Sequence, residues 1–336
     1  MKNIFKTLKK DLFYIRRLLA EGYGPRYWWP YVKNRFLGSY LFKYLPRYDY
    51  QADPDLEVHT ICCKGDIWML AWMMRSLLAT SNLKPVLIVH EDGTIDKSTE
   101  QLILSKFPNT KIMFRWETKK LISEMLDLPE IIRKASKDCH LFFERLLNIF
   151  IFSKAKKIIV SDSDILYYKT PTELVNFVYN RSSHDALVSA SQYVLSGPKD
   201  GKGTFDLMMD SYYTQKYNLS DNVIQYLNGG YIIIDREKLN ADQLIEFLTH
   251  TVRPVSNYFI EMSCFACILA QLNYKFLPVD TYHFKDPVSD RTILKHFTSP
   301  RRYEMFAYGI DRARKIVDKI EKQEKENRRS IDTHIH

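Results

Sequence analysis

The sequence predicts an α/β fold: a mixed, mostly parallel sheet with helices on both faces, preceded by a basic aromatic segment. Two observations carry this. From Val58 onward, short β-rich runs alternate with longer stretches of helical periodicity, the order that builds parallel sheets from β-α-β units. The chain also has 336 residues, 46% apolar and 26% charged, an ordinary globular composition able to bury a large core.

In chain order, "VHTICC" reads as a strand and 67–78 as a helix, then "PVLIVHED" as a strand and 97–107 as a helix. "KIMFR" is a third strand, followed by helices over 119–126 and 141–153. The strand "KKIIVSD" precedes a short helix at 171–178 and the strand "ALVSAS". Residues 192–204 read as a loop, "LNGGYIIID" as a strand, and 236–248 and 257–272 as helices. "YKFLP" is a further strand, and a charged helix over 311–328 precedes a disordered tail. The expected domains are 1–50, 51–310 and 311–336.

The net charge of +9 is concentrated at the start. Residues 1–50 hold eleven Lys and Arg against Asp11, Glu21 and Asp49, together with fourteen aromatic residues. Leu8, Leu12, Ile15, Leu18 and Leu19 recur at helical spacing among Lys9, Lys10, Arg16 and Arg17. Two readings stay open: an element lying on an anionic membrane surface, or a helical collar packed on the main domain. No nucleic-acid-binding module follows, so nucleic acid is not an expected partner. No apolar run approaches the roughly 20 residues of a spanning helix, and no secretory signal is recognisable. Five cysteines without framework spacing suit a reducing compartment. Cys264 and Cys267 form one C-x-x-C inside an apolar helix, with no second pair to complete a zinc site. The expected location is cytoplasmic, peripheral on the inner face of the membrane.

The candidate chemistry lies in "KKIIVSDSDILYY", where Asp162, Ser163 and Asp164 interrupt two apolar β-runs. In an open α/β sheet, ligands bind beyond the carboxyl ends of the strands. In an extended triplet, both carboxylates would face one way and Ser163 another. Two hard oxygen anions there suit Mn²⁺ or Mg²⁺, which keep positions free for substrate phosphates. A turn-capping Asp is the structural alternative. No Gly-x-Gly-x-x-Gly turn follows the first strand, and the chain lacks a Walker A loop, so dinucleotide and P-loop chemistry are disfavoured.

Three further stretches raise the metal reading. An arginine, Arg145, lies in "FFERLLNIF" before the Asp-Ser-Asp strand; Asn228-Gly229-Gly230 opens a strand; and His296-Phe297-Thr298-Ser299-Pro300-Arg301-Arg302 lies near the end. In this order and spacing, residues 57–305 resemble the nucleotide-sugar glycosyltransferases of the Rossmann-like GT-A fold, particularly the family-eight type. That family has a His-x-x-Gly-x-x-Lys motif near its end; here Ser299 stands for the glycine and Arg302 for the lysine. The resemblance implies that Asp162, Asp164 and His296 are metal ligands and that Arg302, with Arg301 beside it, binds the diphosphate. It also implies that Arg145, Asp162 and Ser163 contact the nucleotide sugar. Cys62, Cys63, Lys64 and Asp66 would cradle base and ribose, and Asn228, Gly229 and Gly230 would border the donor sugar. Ser191 and Gln192 stand where the family has an aspartate that contacts the donor sugar.

Asp164, Asn228 and Glu261 are the expected catalytic residues, Glu261 as the candidate base should the reaction invert. The resemblance favours retention, with the departing phosphate helping to deprotonate the acceptor. It implies a nucleoside-diphosphate sugar donor, UDP-linked for preference, and a glycan or lipid-linked acceptor in envelope polysaccharide or glycolipid synthesis. A catalytically silent relative and a sugar nucleotidyltransferase are the competing readings; "CCKGDIW" makes a poor glycine-rich phosphate loop for the latter.

Overall fold

The computed structural model describes residues 2–190, 211–217, 227–251 and 254–334. The expected loop at 192–204, with Ser191 and Gln192, lies outside them. The described strands are β1 Asp53–Cys62, β2 Pro85–Glu91, β3 Thr110–Met113, β4 Lys157–Ser161 and β5 Ile165–Tyr167, followed by β6 Ala186–Ala190, β7 Leu227–Asp235, β8 Tyr274–Phe276, β9 Tyr282–His283 and β10 Leu294–His296. Seven form the main sheet in the order β3-β2-β1-β4-β7-β6-β8, and β5-β10-β9 form a small second sheet. The pairs β1–β2, β1–β4, β2–β3 and β6–β8 are parallel; only β7 runs against its neighbours β4 and β6. The main sheet is therefore mixed and mostly parallel, as expected.

Alternation along the strands feeds two apolar layers. Ile159 of β4 and Tyr231 and Ile233 of β7 enter one core with the Ile67–Ser81 helix. Ile158, Val160, Ile232 and Ile234 enter the other with the helices Leu141–Phe152, Ala241–His250 and Ile260–Leu269. With both faces covered, these strands can be apolar throughout.

Several element ends differ from the sequence reading. The helix expected at 119–126 is Arg115–Glu124, because distant groups satisfy its first turn: Glu91 Oε1 accepts the Arg115 N–H at 2.9 Å. A further helix, Glu130–Asp138, occupies a stretch left unassigned. The last helix spans Ile310–His334, so residues 333 and 334 belong to it and not to a disordered tail.

Residues 2–50 lie against the main domain. Tyr14 and Leu18, on the helix Lys2–Ala20, are buried, and Tyr14 donates its hydroxyl proton to Ser299 O at 2.9 Å. From the next helix, Trp28–Phe36, buried Asn34 donates to Phe306 O at 2.9 Å and accepts from Trp68 Nε1 at 3.3 Å. A side chain at Gly38 would meet Trp68 Cδ1 at 2.5 Å, so contact this close requires glycine. The opposite face is exposed and apolar, with Leu12, Ile15, Leu19, Trp28, Trp29, Phe36 and Tyr40. Among the described residues, no helix is long and apolar enough to cross a membrane.

Candidate active site

Strand pairing assembles the site. β4 ends at Ser161 and β5 begins at Ile165, leaving Asp162, Ser163 and Asp164 as the turn between two sheets. The triplet is thus not an extended run; the chain must change sheets here. On one side the Asp162 N–H donates to Gly230 O at 2.9 Å, extending the β4–β7 ladder and bringing Asn228–Gly230 alongside. On the other, β10 pairs with β5 so that His296 stands opposite Ile165, and the Phe297 N–H donates to Asp164 O at 2.8 Å. Two carboxylates and an imidazole, separated by more than 130 residues of chain, meet through register alone.

The three side chains offer ligand atoms within 4.8 Å of one another. His296 Nε2 is 3.1 Å from Asp164 Oδ1 and 3.5 Å from Asp162 Oδ2. Arg302 Nε donates to Asp164 Oδ2 at 2.6 Å, and its Nη1 reaches Asp66 Oδ2 at 3.4 Å. Close approach explains one glycine: a Cβ on Gly230 would lie 2.2 Å from His296 Cε1 and 2.8 Å from Asp162 Oδ2. Asn228 orders the same corner, its Oδ1 accepting the Gly230 N–H at 3.0 Å and its Nδ2 facing His296 Nδ1 at 3.2 Å.

Arg145 is 1% exposed and fully engaged. Its Nε and Nη2 close a bidentate fork on Glu261, both at 2.9 Å, and its Nη1 donates to Asp162 Oδ1 at 3.0 Å. Burial opposes charge on both partners and pushes the Glu261 carboxyl up, while Glu261 and Asp162 hold the guanidinium protonated. The closed fork is the geometry of an ion pair. All three of its contacting nitrogens are thus engaged by Glu261 and Asp162, and both Glu261 oxygens face the guanidinium.

These groups fit a divalent cation. The contact network holds the carboxylates of Asp66, Asp162, Asp164 and Glu261 against the guanidiniums of Arg145 and Arg302, so with His296 neutral it carries two excess negative charges. Asp164 Oδ1 is buried, and His296 Nε2 at 3.1 Å is its partner in the cluster. Two carboxylates and an imidazole suit Mn²⁺ or Mg²⁺, with positions left for phosphate oxygens.

A cavity of about 330 Å³ opens over this cluster. Cys63, Asp66, Arg145, Asp162, Ser163, Asp164, Asn228, Gly229, Gly230, Glu261, His296 and Arg302 all line it, so most of the expected residues converge. Three do not line it. Cys62 is buried, with its thiol against Cys63 O; Lys64 extends to Asp96 at 2.5 Å; and Arg301 turns to Glu304. The Cys63 thiol is pushed up to about 12 by burial and is a neutral wall group. The sequence reading missed Asp92, Phe142, Tyr258, Met262 and Thr298, which also line the cavity. Asp92 follows the end of a parallel strand and was open to the same strand-end argument as Asp162; the others carry no local signature.

No protein-family model and no curated protein sequence matches the chain. Solved structures do. The apo bifunctional glycosyltransferase WbbM superposes with a TM-score of 0.50 and 13% identity, over 79% of this chain and 51% of that one. The chain thus spans about half the length of that protein structure. The galactosyltransferase LgtC, solved with donor and acceptor sugar analogues, gives 0.48 and 12%, over 79% and 96% of the two chains. Mouse xyloside xylosyltransferase 1 in its apo form gives 0.45 and 11%, over 74% and 99%. The fold is the GT-A fold of glycosyltransferases.

The cluster has a definite pH signature. Burial opposes the His296 imidazolium, but the Asp164 and Asp162 carboxylates prevail and raise its pKa above 6.5. Stability from this proton is complete below 6.5 and is lost as pH rises through the raised value. An imidazole ligates a metal only when neutral, so Mn²⁺ binding through His296 would strengthen over that same rise. In calorimetric titrations from pH 5.5 to 8.5, wild-type affinity should climb with pH and then level, while His296→Gln should bind weakly without that climb. Parallel profiles for the two proteins would remove His296 from the ligand set.

Proposed function

We propose that this protein is a divalent-cation-dependent glycosyltransferase that moves a sugar from a nucleoside-diphosphate sugar, UDP-linked for preference, to a glycan or lipid-linked acceptor. The observation that carries the reading is the Asp162–Asp164–His296 cluster beside Arg302, at the carboxyl ends of β1 and β4, beneath an open cavity. When bound there, Mn²⁺ or Mg²⁺ would neutralise charge developing on the departing diphosphate.

The chain's own residues have separable tasks. Arg302, which lies beside Asp164 and lines the cavity, would offer a second positive group to the leaving phosphate. Arg145, clamped by Glu261, fixes the rotamer of Asp162. Asn228 orients the His296 ring. Engagement of both Glu261 oxygens supports the retaining mode, in which the leaving phosphate takes the acceptor proton and no free carboxylate base is required.

The N-terminal segment supports an envelope polysaccharide or glycolipid acceptor presented at the inner face of a membrane. Its exposed apolar face carries Lys9 and Arg16, neither of which forms an ion pair among the described residues. Each such cation contributes about 1 kcal/mol near an anionic surface.

The catalytic reading is tested by turnover. Asp164→Asn is nearly isosteric and removes one anionic ligand, so transfer or hydrolysis of the preferred nucleotide sugar with saturating Mn²⁺ should fall about a hundredfold or more. Near-wild-type turnover would make Asp-Ser-Asp architecture and not chemistry. Absence of turnover in wild type across UDP- and GDP-sugars would leave the fold without the activity. For the membrane, Trp28 and Trp29 are 50% and 65% exposed, so replacing both by serine should leave folding intact. Sedimentation with phosphatidylglycerol vesicles at physiological salt should weaken about tenfold or more. Equal sedimentation would refute the membrane role.

A further inference from the structure

The cavity lining mixes two chemistries: the charged groups Asp66, Asp162, Asp164, His296 and Arg302, and the apolar or aromatic Leu141, Phe142, Tyr258 and Met262. Arg145, whose guanidinium lies 5.7 Å from the Phe142 ring centroid, is committed to Glu261 and Asp162. The Leu141, Phe142, Tyr258 and Met262 side chains themselves offer an apolar surface suited to an uncharged ring.

Tyr258 dominates it. The residue is 56% exposed although it sits within a cluster of rings. Phe142, His140 and Phe259 approach it with centroids at 5.1, 5.4 and 5.0 Å and interplanar angles of 87°, 70° and 87°, so none of the three is a stacked contact. The backbone beneath is fixed: the His140 N–H donates to Val255 O at 2.8 Å, and Asn257 Oδ1 accepts the Phe259 N–H at 2.8 Å. Tyr258 and Phe142 sit at the starts of two helices packed against each other, Ile260–Leu269 and Leu141–Phe152. A large, half-exposed aromatic is thus held in the same cavity as the Asp162–Asp164–His296 cluster, at the entropic cost of only two side-chain torsions.

We propose that Tyr258 and Phe142 form the acceptor subsite and that its occupant is a pyranose ring, making the acceptor a glycan. The C–H face of a pyranose is apolar with weakly positive hydrogens, which suits the negative face of an aromatic ring. A sugar resting there would keep its hydroxyls free at its edge, one of them available to the donor carbon near the charged groups. This rests on the glycosyltransferase reading for the word acceptor; the aromatic subsite itself rests on the geometry.

Saturation-transfer NMR on the full chain, with methyl glucosides, galactosides and mannosides as probes, tests it in the presence of Mg²⁺ with saturating UDP or GDP. At least one glycoside should give a signal that persists with the nucleotide bound, falls fivefold or more in Tyr258→Ala, and is retained in Tyr258→Phe, all three proteins melting cooperatively. The proposal is overturned if wild type gives no glycoside signal, if Tyr258→Ala equals wild type, or if the nucleotide abolishes the signal, which would assign the rings to donor or base. Thermal stabilisation by UDP or GDP with Mg²⁺ is read separately. If it is missing while the Tyr258-dependent glycoside signal remains, the donor reading fails and the sugar subsite stands.

Discussion

The site depends on holding like charges together. Asp162 and Asp164 lie at a turn where the chain leaves one sheet for another, and Asp164 is 2% exposed. Buried carboxylates this close survive ionised only if cations are built around them. Each of the surrounding elements supplies one: Arg145 from the helix before β4, His296 from the end of β10, and Arg302 from the turn beyond it. Burial opposes the Asp164 charge, yet Arg302 and His296 hold its carboxyl well below the usual carboxylate range.

That electrostatic requirement connects the N-terminal segment to the chemistry. Arg302 follows Ser299, and Ser299 O accepts the hydroxyl of buried Tyr14 from the first helix. Tyr14 and Tyr303 lie 6.1 Å apart between ring centroids, packing that helix against the turn that carries Arg302. The collar and the surface readings of residues 1–50 are thus not exclusive. One face braces the wall of the cavity while the other exposes Trp28, Trp29 and Phe36.

What could be read from the sequence follows from how local each signal is. Alternating runs fix strands and helices, and the Asp-Ser-Asp junction is visible because carboxylates interrupt hydrocarbon within five residues. The convergence of Asn228 and His296 on that junction followed only from the order of several motifs, since register is a tertiary fact. Roles assigned by neighbourhood fared less evenly. Arg301 adjoins Arg302 in sequence but turns to Glu304, and Lys64 adjoins Cys63 but reaches Asp96. The extended geometry expected for residues 162–164 gave way to a turn, yet the carboxylates still face one imidazole because β5 and β10 pair beside them. Tyr258 and Phe142 had no signal at all among 46 aromatic residues; only folding distinguishes a ring beside the carboxylates from one in the core.

The central claim is that Asp162, Asp164 and His296 form one cation site that receives a nucleoside diphosphate. Electron paramagnetic resonance titration of Mn²⁺ tests it without any knowledge of donor sugar or acceptor. The account predicts one bound Mn²⁺ per chain, tightened by UDP or GDP and lost in Asp164→Asn. Mn²⁺ binding that is absent, or that is indifferent both to the nucleotide and to Asp164→Asn, would contradict it.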